Sequence, residues 1–206
     1  DVHMGKRNST RHGQPPGKRA PDGRAKARND FGARSLNALA LLAGVTFLIV
    51  VLKNAWACDD AYILFRSLEQ LFAGNGPVWN PHERVQAFTS PLWFWLLSVP
   101  RLVSPDVYLN AIVVSVALVV AMLVLVRRAL RDDVKFLVAV LLLVCCNGFL
   151  DFTTSGLENP LAYCLIAFYL LHYMRLFDER GADASRSLFL AALAFGLVVV
   201  TRHDLL

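Results

Sequence analysis

Long runs of apolar residues dominate the pattern along this chain. Five of them are long enough, or nearly so, to cross a bilayer as a helix, which takes about 17–25 residues. They lie at residues 36–57, 106–126, 134–150, 160–177 and 188–206. This pattern predicts an all-α fold, a polytopic bundle of transmembrane helices.

Two segments between the first two runs have a different pattern. Over residues 61–72 apolar residues recur at helical spacing, with polar residues on the other side, which predicts an amphipathic helix on the membrane surface. The run 91–103 is too short to cross and is interrupted by a proline and an arginine. We expect an interfacial or re-entrant helix there, with the aromatic residues at 93–95 at headgroup level.

Polar residues mark where two of these helices should begin. Ser90 followed by Pro91 predicts a cap and first turn for the interfacial helix. Asn159 followed by Pro160 predicts the same for the fourth long run.

The charge is concentrated at the start of the chain. Of the 206 residues 56% are hydrophobic and the net charge is +5, yet residues 1–35 hold nine basic and three acidic residues. We expect residues 1–35 to form a disordered basic arm in the cytoplasm, near anionic lipid rather than nucleic acid. Residues 36–206 would form the transmembrane module, truncated at its C-terminus because the chain stops inside an apolar run.

The arm also fixes an orientation for the loops. If residue 36 starts in the cytoplasm, the first helix delivers Asp59 to the outside, and Arg127 and Arg128 mark the next cytoplasmic end. The polar clusters at residues 151–159 and 201–204 then also reach the outer side. Three polar clusters on one side predict one active site.

Asp59 and Asp60 are the first of these clusters, and two interpretations stay open. Asp59 is well placed to cap the amphipathic helix, with Asp60 in its first turn. One carboxylate is enough for capping, however, and two adjacent carboxylates repel each other unless a proton or a cation is taken up. Capping and chemistry are equally supported by the residues alone.

The remaining candidates each have an ordinary alternative. Arg84 can hold a phosphate through two hydrogen bonds or pair with Glu83. Glu158, Asp204 and Glu83 are candidates to bind an acceptor hydroxyl or complete a cation site. Glu158 can instead lie solvated in its loop. Arg202 and Asp204 follow a long uncharged run and are functional candidates, or else only an interfacial cap.

Several segments together resemble a known family. Residues 59–63, 74–81 and 83–93, followed in order by 155–159 and 201–204, resemble segments of the GT-C membrane glycosyltransferases, especially the terminal arabinofuranosyltransferases of the actinobacterial cell envelope. The resemblance covers about residues 36–206. It departs from the family at His203, where relatives usually have proline.

The resemblance implies a transferase of the cytoplasmic membrane with its site on the outer face. It implies a polyprenyl-phosphate sugar donor and a cell-wall glycan acceptor, and it maps the catalytic acid onto Asp59 or Asp60. The hypothesis is an inverting transfer of arabinofuranose, with Arg84 and Arg202 on the donor phosphate. A divalent metal, Mg²⁺ or Mn²⁺, held by the two aspartates is an alternative source of positive charge.

A non-catalytic membrane scaffold or a transporter is the competing hypothesis. A transporter should carry charges within its spans. The three central runs carry none after their first residue apart from Lys135, His172 and Arg175, each near an end of its run. This pattern counts against a transporter and leaves a scaffold open.

Overall fold

The computed structural model describes the backbone of residues 23–83, 85–178 and 180–202, and the side chains from residue 35 onward. Over these residues the chain forms eight helices and no strand, which confirms the predicted all-α fold. The helices are α1 (Gly23–Lys53), α2 (Asp59–Phe72), α3 (Pro91–Arg101), α4 (Val107–Leu130), α5 (Asp133–Val144), α6 (Asn147–Thr153), α7 (Asn159–Arg175) and α8 (Ala182–Thr201).

The chain divides into two compact units, residues 1–35 and residues 36–206. The first unit corrects part of the predicted arm, because residues 23–35 are helical and not disordered. Residues 23–34 are rich in alanine, arginine and lysine, which have high helix propensity. Residues 1–22 lie outside the described residues.

Three described helices are long and apolar enough to cross a membrane: α1 from Ser35, α4 and α8. A fourth crossing is added if α5 and α6 form one broken span, since they meet at an angle of 81°. The straight span expected at residues 134–150 is thus corrected, because α5 ends at Val144 and a separate helix begins at Asn147.

The bounds of the other four predicted spans also change. α1 ends at Lys53 rather than at residue 57. α7 has 17 residues, at the short end of what crosses a bilayer, and packs along both α4 and α8.

Apolar side chains cover the outside of this bundle. Leu41 on α1, Val113 on α4, Leu142 on α5 and Phe189 on α8 are each more than half exposed. So much exposed apolar surface on long helices suits contact with lipid tails and not with water. The protein is a membrane protein.

Two apolar clusters hold the second unit together. The first joins α1, α4, α5 and α7 around the fully buried Phe47 and Val119. The second joins α2, α3, the start of α4 and α7 around Leu68, Trp93 and Phe94. Each such side chain contributes about 1.5–3 kcal/mol on burial, so the second cluster fixes α2 and α3 firmly on the bundle.

The aromatic residues of α3 differ in burial. Trp93 and Phe94 are fully buried, and only Trp95 is exposed, at 53%. Their position at headgroup level stays a prediction. One face of α3 packs on α2 and α4, and Phe88 stacks on Phe94 with ring centroids 4.2 Å apart.

An ion pair ties the ends of α2 and α3 together. The Arg101 guanidinium donates to both carboxylate oxygens of Glu69, at 2.9 and 3.0 Å, and lies over the ring of Phe72. The hydrogen bond to Glu69 raises the pKa of Arg101. The ion pair holds the end of α3 against the end of α2.

Candidate functional site

The aspartate pair occupies the first turn of α2, one position later than the sequence predicted. Cys58 is the N-cap residue, in an extended conformation, and it makes no side-chain cap bond. The predicted capping role of Asp59 is thus corrected: both aspartates lie within the helix. Both are exposed, and neither carboxylate forms a hydrogen bond or ion pair with another described residue.

The amphipathic character predicted for α2 is confirmed and decides which aspartate faces the protein. Ala61, Leu64, Phe65 and Leu68 are buried against the second cluster. This packing fixes the rotation of α2 about its axis. It leaves Asp60, one helical turn before Leu64, beside a cleft.

The loop after α6 docks directly on the start of α2. The Cys58 N–H donates to the carbonyl oxygen of Ser155 at 2.9 Å. Gly156 has φ +84°, and a Cβ added there would lie 2.6 Å from the Cβ of Ala61. The buried indole of Trp93 donates to the carbonyl oxygen of Gly156 at 2.9 Å. Three contacts therefore hold this loop against α2 and α3.

A cleft of about 390 Å³ lies where these elements meet. Asp60 lines one side and Glu158 another. The segment 86–90 forms the wall between them and contributes the polar residues Gln86, Thr89 and Ser90. Asp59 does not line this cleft, so the two adjacent aspartates differ in position.

A second cleft of about 350 Å³ adjoins the first, since Leu157 and Glu158 line both. Arg202 lines the second cleft, with its Nε 3.9 Å from a Glu158 carboxylate oxygen and its Nη1 donating to Asn159 Oδ1. The predicted cap role of Asn159 is corrected, because Glu158 is the N-cap residue of α7. Asn159 instead holds Arg202 in place.

The structure thus brings together one residue from each polar cluster: Asp60, Glu158 and Arg202. Glu83 is exposed, accepts a hydrogen bond from Asn80 at 2.9 Å and lines neither cleft. Two candidates, Arg84 and Asp204, lie outside the described residues, and so does His203.

Few described side chains are placed to bind the metal predicted at the aspartate pair. Among the described residues, no three Asp, Glu, His or Cys side chains are grouped closely enough to hold a metal ion. Asp60 and Glu158 share the first cleft as two separate carboxylates, and Asp59 lies outside it. The described side chains therefore do not form a metal site by themselves.

Sequence reasoning missed the buried polar residues around the clefts. Thr153, Thr154 and Ser155 are all fully buried, and so is Ser90. The Ser90 and Thr154 hydroxyls have no hydrogen-bond partner among the described residues. Three consecutive hydroxyl residues beside a membrane boundary were the available signal, since buried polar groups need a structural or functional reason.

Two curated proteins resemble this chain. The terminal β-(1→2)-arabinofuranosyltransferase of Mycobacterium tuberculosis is 32% identical over 168 residues, which is 74% of this chain and 26% of that protein. The terminal β-(1→2)-arabinofuranosyltransferase of Corynebacterium glutamicum is 35% identical over 136 residues, which is 62% of this chain and 20% of that protein. The predicted resemblance to the actinobacterial arabinofuranosyltransferases is confirmed.

The chain spans about a quarter and a fifth of the lengths of these two relatives. No protein-family model matches it, and no solved structure matches it.

Proposed function

We propose that the protein transfers arabinofuranose from a polyprenyl-phosphate donor to a cell-envelope glycan, on the outer face of the cytoplasmic membrane. The observation that carries the proposal is the pair of adjoining clefts, with Asp60 and Glu158 lining the first and Glu158 and Arg202 the second. The names of the two relatives supply the sugar.

Asp60 is the general base in this proposal. The acceptor hydroxyl enters the first cleft, and its oxygen attacks the anomeric carbon of the donor as the Asp60 carboxylate takes its proton. The bond from the anomeric carbon to the phosphate oxygen breaks, and the lipid phosphate leaves with the electron pair. A single displacement of this kind inverts the anomeric configuration.

Arg202 stabilises the leaving phosphate. Charge-assisted hydrogen bonds from a guanidinium to phosphate are stronger than neutral ones. Asn159 and Glu158 hold the Arg202 side chain at the second cleft, so its position is set before the donor binds. Glu158, between the two clefts, is then placed to bind a hydroxyl of the acceptor. Arg84 is also proposed to bind the donor phosphate, and this role rests on the sequence alone.

The proposed position of the two clefts on the outer side is inferred from the distribution of basic residues. Arg127, Arg128 and Arg131 lie at the end of α4, and Arg175 ends α7, whereas Asp60 and Glu158 lie near the starts of these helices. Basic residues concentrate on the cytoplasmic side of membrane proteins. This rule puts the two clefts on the outer side.

The test compares Asp60→Asn with its neighbour Asp59→Asn in the full-length protein. Membranes would be assayed with radiolabelled polyprenyl-phosphate arabinofuranose and an arabinan acceptor. D60N should lower the transfer rate about 10²–10⁴-fold, the usual contribution of a general base. D59N should keep the rate within about tenfold, because it changes the same charge outside the cleft.

Two other outcomes would count against the proposal. Equal rates for D60N and wild type, at equal amounts of folded protein, would remove Asp60 as the base. A wild-type protein that is folded and transfers no sugar from this donor would favour the non-catalytic scaffold.

A further inference from the structure

A larger cleft lies at the other end of α4 and α7, away from Asp60 and Glu158. Its volume is about 440 Å³. Three of its residues are charged and five are apolar: Ala129, Leu130, Arg131, Leu171, Met174, Arg175, Phe177 and Asp178. Nothing in the proposed transfer reaction uses this cleft.

The two arginines of this cleft are in different electrostatic situations. Arg131 donates to the Asp178 carboxylate at 2.8 Å, in a pair whose side chains are both about 60% exposed. Arg175 is partly buried, and its guanidinium forms no hydrogen bond or ion pair with another described residue. A partly desolvated cation without an acidic partner attracts an anion.

Arg175 also lines a smaller cleft of about 170 Å³ on its other side, against α8. Asp183 and Arg186 line that smaller cleft, together with the buried His172. No ion pair within 4.0 Å joins Arg175 to Asp183 in the described part of the chain. Positive charge therefore predominates around Arg175.

The wall beside these charges is apolar and exposed. Phe177 is 76% exposed and Met174 is 44% exposed. A small inorganic anion would gain no favourable contact from such an apolar wall. A ligand with an anionic head and a hydrocarbon tail satisfies both halves of the cleft.

We propose that this cleft binds an anionic phospholipid. The lipid phosphate is held by Arg175, with Arg131 at the edge of the headgroup, and an acyl chain lies along Met174 and Phe177. Basic pockets between transmembrane helices commonly hold such headgroups on the cytoplasmic side. The bound lipid would join the ends of α4 and α7.

The test measures phosphatidylglycerol binding to the detergent-solubilised full-length protein by native mass spectrometry. Arg175→Gln should weaken binding about tenfold, the loss of a charge-assisted contact. Arg128→Gln is the matched control, because Arg128 is exposed at the same end of α4 and does not line the cleft. It should change binding within about twofold, as expected for an exposed charge.

Each remaining outcome overturns the proposal. Equal weakening in R175Q and R128Q would mean attraction to the general basic surface. Binding of phosphatidylcholine as tight as that of phosphatidylglycerol would exclude recognition of the anionic head. Inorganic phosphate that competes fully would show a simple anion site. If phosphatidylglycerol bound to the Glu179→Gln variant but not to the wild-type protein, the Glu179 carboxylate and not a lipid would neutralise Arg175.

Discussion

At the scale of single residues, Gly156 determines how closely the loop after α6 approaches α2. Its backbone has φ +84°, a conformation that residues other than glycine rarely adopt. A Cβ added at this position would meet the side chains of Ala61 and Phe65. Any side chain there would push the loop, with Glu158, away from Asp60. The distance between the two carboxylates thus depends on a residue without chemistry of its own.

Replacing Gly156 by alanine should destabilise the protein by about 2–4 kcal/mol, from backbone strain plus overpacking. Thermal unfolding in detergent micelles measures the loss. Gly74→Ala is the control, since Gly74 has nearly the same φ, +85°, but nothing within 4 Å of an added Cβ. If both variants unfold at the same temperature, the contact with Ala61 is not what limits this position.

At the scale of elements, the buried face of α3 anchors the loop after α6. Its indole donor Trp93 reaches the Gly156 carbonyl across 63 residues of sequence, and Phe94 packs beside it. The helix therefore supports the loop that carries Glu158, while its exposed face, with Trp95, remains free for the membrane interface.

Trp93→Phe should cost about 1–3 kcal/mol, because the Gly156 carbonyl is left buried without its donor. The same change at Trp95, on the exposed face of α3, should leave stability within about 0.5 kcal/mol. Unfolding midpoints of the two variants give the comparison. Similar losses at both positions would contradict the anchoring role of the indole hydrogen bond.

At the scale of the whole molecule, the proposed orientation puts the two clefts at Glu158 outside and the Arg175 cleft inside. Cysteine labelling tests it in a variant in which the four native cysteines are replaced. Asn75→Cys, in the loop after α2, should react with a membrane-impermeant maleimide in intact spheroplasts. Ala182→Cys, at the start of α8, should react only after the membrane is opened. The reverse pattern would invert the orientation.

Much of this architecture could be predicted from the pattern of apolar residues, and the reasons for the failures are physical. Periodicity predicted α2, and charge placement predicted that Asp60, Glu158 and Arg202 would come together. The cleft itself was beyond the sequence, because the segment 86–90 and the loop at Leu157 and Glu158 meet Asp60 only through tertiary packing. The break before Asn147 lies inside a strongly apolar run, so hydropathy alone does not reveal it.

The contacts between the start of α2 and the loop at Ser155 and Gly156 have a consequence for biogenesis. Trp56 and its hydrogen-bond acceptor at Asp151 are 95 residues apart in the chain. At about 5–20 residues per second, the ribosome needs on the order of ten seconds to make that interval. During this time α2 can pack on α3 and the start of α4, which are synthesised before the loop at Ser155 and Gly156. The first cleft, in contrast, lacks its Leu157 and Glu158 side until this loop has been made.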